Sequence, residues 1–259
     1  MLSLKIVNKD KQVLLEKTGK EELYLVYNAF YNDGDSIILT SNETGLYEVK
    51  LDAALDTCVV YLTGEYEFSI PFNEKKFCYP QIAFSAEKNL ISVRKVPAKA
   101  FNNYKNLALN VYDHHLNSTM FPHSFANVET RGESVFASRN AMDGNFASDS
   151  HGKWPYESWG INRNSDAEMT IDFGRPVKVD TLVLYTRADF PHDAWWTKAT
   201  ITFNDGESLV VDLEKKDGAQ RFNIEEKVIT SLTISSLIKA EDPSPFPALI
   251  QLEAWGSEV

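Results

Sequence analysis

Apolar and polar side chains alternate with a period of two through most of the chain. Only a strand sends neighbouring side chains to opposite faces in that way. Tyr47, Val49 and Leu51 fall on one side while Glu48, Lys50 and Asp52 fall on the other, and Phe68, Ile70 and Phe72 repeat the pattern. Strands are expected near 22–27, 36–41, 46–52, 57–63, 66–72 and 90–96. Turn-forming runs such as Asn32-Asp33-Gly34-Asp35 and Asn42-Glu43-Thr44-Gly45 come at close intervals. A second set is expected near 168–173, 177–186, 198–204, 208–213, 220–224, 229–236 and 248–255. The break falls at Pro97, where proline opens a short helix near 97–109 with Phe101, Tyr104 and Leu107 on one side. The fold class predicted is all-β: two β-sandwich, jelly-roll-like domains, 1–105 and 106–259, joined by that helix.

At 259 residues, with 43% hydrophobic and 24% charged residues, the chain can bury a sizeable core in each half. Its net charge of −11 argues against nucleic acid or an anionic membrane as the main partner. No apolar run approaches the roughly 18 residues of a membrane span, and the first residues lack an apolar signal core, which favours the cytoplasm. Cys58 and Cys78 are too few for a disulfide framework, and their apolar neighbours predict buried free thiols. Oligomeric state is not legible.

Four segments of the second half, in order, carry a resemblance. They are Asn106-Leu-Ala-Leu, the Ser138-Arg-Asn-Ala-Met-Asp-Gly-Asn145 run, the stretch Asp166–Asp180 with its Asp-Phe-Gly turn, and Leu249-Ile-Gln-Leu-Glu-Ala-Trp-Gly256. Together they resemble the discoidin family, the coagulation-factor C-type domain with its galactose-binding-like sandwich. Within it, they are most similar to the family 32 carbohydrate-binding modules. The chain departs from that pattern between Leu109 and Glu133, where extra length holds His114, His115 and His123. The first half carries no such pattern.

The resemblance implies a structural calcium ion. Calcium takes six to eight oxygens from carboxylates and carbonyls in a tight loop. Asn140, Asp143, Asn145 and Ser148 are expected to supply them around Gly144. Glu253 is expected to close the shell, on the reading that Ile250, Leu252 and Ala254 face the core. The plainer reading is an Asp-Gly-Asn turn capped by its own side chain.

It also implies that ligands bind to loops at one end of the second sandwich. Two such loops hold four of the five tryptophans, at 151–163 and 187–196. Sugars offer an apolar face of C–H groups and a rim of hydroxyls, which suit aromatic rings beside fixed planar polar groups. The candidate platforms are Trp154, Tyr156, Trp159, Trp196 and Phe246. The candidate polar partners are His151, Arg163, Arg187, Asp189 and His192, with Glu157 beside them. Three prolines stiffen the loop that carries Phe246. Against this stands a structural reading, in which half of the rings plug the sandwich and Arg187 staples its loop through Asp189 or Asp193.

The primary expectation is a non-catalytic carbohydrate-binding protein. One alternative is a carbohydrate-active enzyme, with a cleft between the domains that uses the histidine-bearing insert. The other is an interaction scaffold built on the Trp195-Trp196 tip. No nucleophile elbow, phosphate loop, paired cysteines or zinc-type histidine spacing occurs in the sequence.

Overall fold

Leu2, Leu4 and Ile6 point inward while Ser3 and Lys5 point outward, so the first residues form a strand rather than a tail. The computed structural model describes residues 1–149, 152–188 and 194–259. In the first half the strands are β1 (Leu2–Val7), β2 (Val13–Gly19), β3 (Glu22–Tyr27), β4 (Ser36–Ser41), β5 (Gly45–Lys50), β6 (Cys58–Leu62), β7 (Tyr66–Ser69) and β8 (Asn89–Lys95). Next come β9 (Lys105–Asn106), β10 (Met120–Phe121), β11 (His123–Ala126) and β12 (Trp159–Gly160). The last five are β13 (Met169–Thr186), β14 (Trp196–Phe203), β15 (Ser208–Asp212), β16 (Gln220–Lys239) and β17 (Ala248–Glu258). The chain is all-β.

Two sheets make the first sandwich, ordered β2-β1-β4-β7 and β10-β6-β5-β8-β3. Leu4, Ile37, Leu39 and Phe68 from one face meet Val49, Val60, Ile91 and Val93 from the other in one core. Cys58 and Cys78 are free and buried there.

The second sandwich is folded from two long strands. β13 pairs with β16 along its length, but the register shifts between Asp172 and Val177 and again between Val179 and Thr181. Such irregularities bend strands and let them pass from one sheet to the other. The early part of β13 pairs with β11, and its later part pairs with β17. At the first bend Gly174 has φ +66, and a Cβ there would collide with the Phe121 ring. Ile171, Phe173, Ile201 and Ile234 then face Leu182, Leu184, Leu252 and Trp159 across a second core. Arg175 closes the far end, donating from Nε and Nη2 to the Glu258 carboxylate at 2.7 Å each.

Between the sandwiches the expected helix is a single 3₁₀ turn, Ala98–Ala100, followed by β9. The Asn102-Asn103 pair is poorly suited to a helix interior, and the sheet takes the backbone instead, Leu107 N donating to Ala254 O at 2.7 Å. Leu107 enters the second core, while Tyr104 is exposed and stacks on Trp255.

The histidine-bearing insert is a strap. Val111, Tyr112 and Met120 bury in the first core, and β10 adds to its sheet beside β6, while β11 adds to the second sandwich beside β13. Asp113, fully buried, holds the strap by accepting four hydrogen bonds. They come from Asn117 Nδ2 (2.7 Å), His123 Nδ1 (2.8 Å), Ser124 N (2.8 Å) and Ser124 Oγ (3.0 Å). His114 packs on Tyr66 and Phe68 with Nε2 at 2.9 Å from Glu67 O, and His115 pairs with Glu129. The three rings have three separate structural partners.

Burial opposes protonation of His123, but the hydrogen bond and charge of Asp113 outweigh it, and the ring's pKa is raised. A raised histidine stabilises the fold most below its unfolded pKa, about 6.5, and that contribution is lost as pH rises through the folded value. His123→Gln should therefore lower the melting temperature most near pH 5.5 and progressively less toward pH 8.5. A pH-independent difference between variant and wild type in thermal melts would contradict the charged pair.

Candidate functional site

At one end of the second sandwich four loop segments enclose a cavity of about 190 Å³. Its lining includes Phe136, Tyr156, Ile161, Phe246, Pro245 and Pro247, with Arg131, Arg163 and Arg187 among them. Of the residues expected to bind ligand, Tyr156, Arg163, Arg187 and Phe246 converge here. Each arginine lies over a ring: Arg131 over Phe136 (5.5 Å), Arg163 over Phe246 (4.6 Å), and Arg187 over Tyr156.

Local structure explains each placement. Trp159 plugs the core and donates from Nε1 to Val128 O at 3.0 Å, which fixes β12. Immediately after β12 the chain turns sharply, Asn164 N donating to Ile161 O at 2.9 Å. The two central residues, Asn162 and Arg163, have φ +48 and +61. Asparagine tolerates this left-handed region, whereas an arginine there costs roughly 1 kcal/mol or more. Asn162 N also donates to Thr130 Oγ1 at 2.9 Å, tying the turn to the Arg131 segment. Arg163 stays exposed and makes no ion pair among the described residues. Pro245 and Pro247 bracket Phe246, which is 44% exposed at the mouth.

Arg187 differs from the exposed ligand arginine expected. It is 1% exposed, and its Nη1 donates to Tyr156 O while its backbone N donates to Ala248 O at 3.3 Å. It thus joins the end of β13, the Tyr156 segment and the start of β17 beneath the cavity. The other expected residues divide. Trp159 and Trp196 are fully buried in the second core. Trp154 is 40% exposed but lines a different cleft. His151, Asp189 and His192 lie outside the described residues. Phe136, Arg131 and Asn162 were not singled out from sequence. They sit at the end of the insert and in an ordinary-looking turn, with no motif to mark them.

The different cleft, also about 190 Å³, lies between the two halves and is lined by Ala54, Asp56, Tyr79, Arg139, Asp143 and Trp154, among others. None of His114, His115 and His123 lines it. Among the described residues no group of three or more His, Cys, Asp or Glu side chains is placed to hold a metal ion. The Trp195-Trp196 tip is likewise closed, since Trp196 is core and Lys215 lies 4.9 Å over the Trp195 ring.

The expected calcium set does not assemble. A register shift in β17 opposite Tyr185 and Thr186 puts Ile250 with Val183 and Tyr185, outside the main core that holds Leu249, Leu252 and Ala254. Gln251 therefore meets the Asp143 loop, and Glu253 instead accepts a hydrogen bond from Trp255 Nε1 at 2.7 Å. Gln251 Nε2 donates to Asn140 O (2.6 Å) and Asp143 Oδ1 (2.8 Å), both oxygens an ion would need. Buried Arg139 adds a positive charge with Nη1 3.8 Å from Asp143 Oδ2.

Glu157, expected among the polar partners of a sugar, joins this cluster instead through Asn145, whose N donates to Asp143 Oδ1 (2.9 Å) and Nδ2 to Glu157 Oε1 (2.6 Å). Burial pushes both acids up, Asp143 against the pull of Arg139, and the Asp143 charge pushes Glu157 further. Glu157 Oε2 and Ser148 Oγ are buried without a partner among the described residues, room for a proton or a water. The Arg139 guanidinium stands beside Asp143, and the Gln251 amide occupies two of the oxygens that an ion would need. The residues present do not fit a divalent ion.

The family model for a domain of unknown function, DUF7402, matches residues 125–240. No curated protein matches the chain. Among solved structures, the chain is similar to chitosan-binding module 1 of a chitosanase/glucanase from Paenibacillus sp. IK-5, at 17% identity and TM-score 0.40, covering 59% of this chain and 99% of that one. It is similar to the family 32 module of C. perfringens NanJ in complex with galactose, at 18% identity and TM-score 0.38, covering 51% and 91%. It is also similar to the lectin domain of lectinolysin complexed with Lewis B antigen, at 16% identity and TM-score 0.43, covering 59% and 97%.

Two outcomes test this geometry. Arg187→Ala removes a charge-assisted hydrogen bond and a ring contact from a buried place, about 2–3 kcal/mol, so melting should drop by several degrees. An unchanged melting temperature would mean that the side chain is not holding the three segments together. Millimolar calcium, or its removal by chelator, should leave melting within about a degree, since an ion held only by the folded state would shift it by mass action. A rise of several degrees on adding calcium would restore the ion.

Proposed function

We propose that the protein binds a carbohydrate, without catalysis, in the cavity at the loop end of its second sandwich. One observation carries this reading: three aromatic rings and three planar guanidinium groups line one small cavity on a rigid β scaffold. Ring faces and edges suit the C–H surface of a sugar, and fixed N–H donors suit its ring and hydroxyl oxygens. The turn at Asn162-Arg163 and the prolines around Phe246 hold the mouth before any ligand arrives, which lowers the ordering cost of binding. Neither alternative has a comparable feature among the described residues. The insert's histidines have structural partners, and Trp196 of the tryptophan tip is buried in the second core.

A glycan array with the purified chain tests the reading, followed by calorimetry on the best ligand. Phe246→Ala should weaken binding about tenfold or more, corresponding to roughly 1.4 kcal/mol of lost contact, while melting stays near wild type because the ring is half-exposed. Binding that survives Phe246→Ala unchanged would place the ligand elsewhere.

A further inference from the structure

The geometry points to a saccharide that carries a negative charge, a carboxylate or a sulfate, as the ligand of this cavity. The inference rests on the carbohydrate reading above and narrows it. Three of the chain's seven arginines line the cavity, and the described lining contains no aspartate, glutamate or lysine. The chain as a whole carries a charge of −11, so a lining with arginines and no acid stands apart from its overall composition.

The way the arginines are held matters as much as their number. A guanidinium stacked on a ring spends its face on that contact and keeps its donors around its edge, in the plane. Those edge donors match the two oxygens of a carboxylate or a pair of sulfate oxygens. A neutral hydroxyl uses only one such donor at a time. Arg131 is drawn on by Glu133, with Nε and Nη2 donating at 2.6 and 2.9 Å, and Arg187 is occupied beneath the floor. Arg163 is the anchor. It has no ion pair among the described residues, and its stacking on Phe246 and its left-handed turn fix it at the mouth.

The preference for a carboxylate or sulfate is thus built on the one guanidinium at the mouth that no described carboxylate pairs, Arg163. Binding should fall with ionic strength, as expected for a charge pair near the surface. It should be weaker for every neutral analogue of an acidic sugar.

The test is calorimetric titration with four probes: galactose, galacturonate, galactose 6-sulfate and inorganic sulfate. The same series is repeated on Arg163→Gln, with a melting curve for each protein. At least one acidic sugar is expected to bind tenfold or more tighter than galactose. In Arg163→Gln that advantage should vanish while melting is unchanged. Equal binding of galactose and both acidic sugars would overturn the charge preference and leave the carbohydrate reading standing. Inorganic sulfate bound as tightly as galactose 6-sulfate would overturn the saccharide itself and leave a simple oxyanion site. If no probe binds at millimolar concentration while the glycan array yields a neutral ligand, only the charge preference falls. A blank array together with blank titrations would remove both.

Discussion

The candidate site depends on one buried contact, the guanidinium of Arg187 over the ring of Tyr156. A charge is costly to bury and stays buried only where ring and carbonyl partners compensate it. Here the partners come from different parts of the chain. Tyr156 supplies both its ring and its backbone oxygen, and the Arg187 backbone bonds to Ala248 at the start of β17. The contact therefore sets the distance between the segment before β12, the end of β13 and the proline-rich entry to β17. The cavity is the space those segments leave above it.

A second constraint sets the relation of the two sandwiches. The strap at 110–126 gives a strand to each, and Asp113 gathers four donors from it inside the protein. Because Val111, Tyr112 and Met120 complete the first core, the first sandwich is finished by residues that follow the sequence break at Pro97. The first half thus acts as a foundation for the second, and the extra length that seemed foreign to the sandwich is what joins them.

The sequence carried the strands well wherever period two was clean. β3 to β8 and the strands of the second half lie close to where alternation places them, and so do the bend residues Gly174 and the Asp-Phe-Gly turn. β1 was missed because it was weighed as a leader segment, although Leu2, Leu4 and Ile6 alternate plainly. The linker helix failed because a proline and three apolar residues at helical spacing are weak evidence beside two asparagines and an available sheet edge. At the site, Tyr156, Arg163, Arg187 and Phe246 were legible as loop residues of suitable chemistry. Which of them would be buried was not, since a tryptophan such as Trp159 looks the same as plug or platform until the core is counted. In β17 the alternation holds for Leu252 and Ala254, with Glu253 on the other face, and breaks only at Ile250. One shifted residue there turns Ile250 out of the main core and brings Gln251 to the Asp143 loop, which a reading of strict alternation through a bulge does not show.

The central claim is that a saccharide enters the cavity between Phe246, Arg163 and Tyr156. It is tested most directly by titrating isotope-labelled protein with the tightest saccharide from the array and following backbone amide shifts. The account predicts changes concentrated at 130–136, 160–164 and 246–249, with the first sandwich silent. Changes centred instead on Asp56, Tyr79, Arg139 and Trp154, in the cleft between the halves, would contradict it.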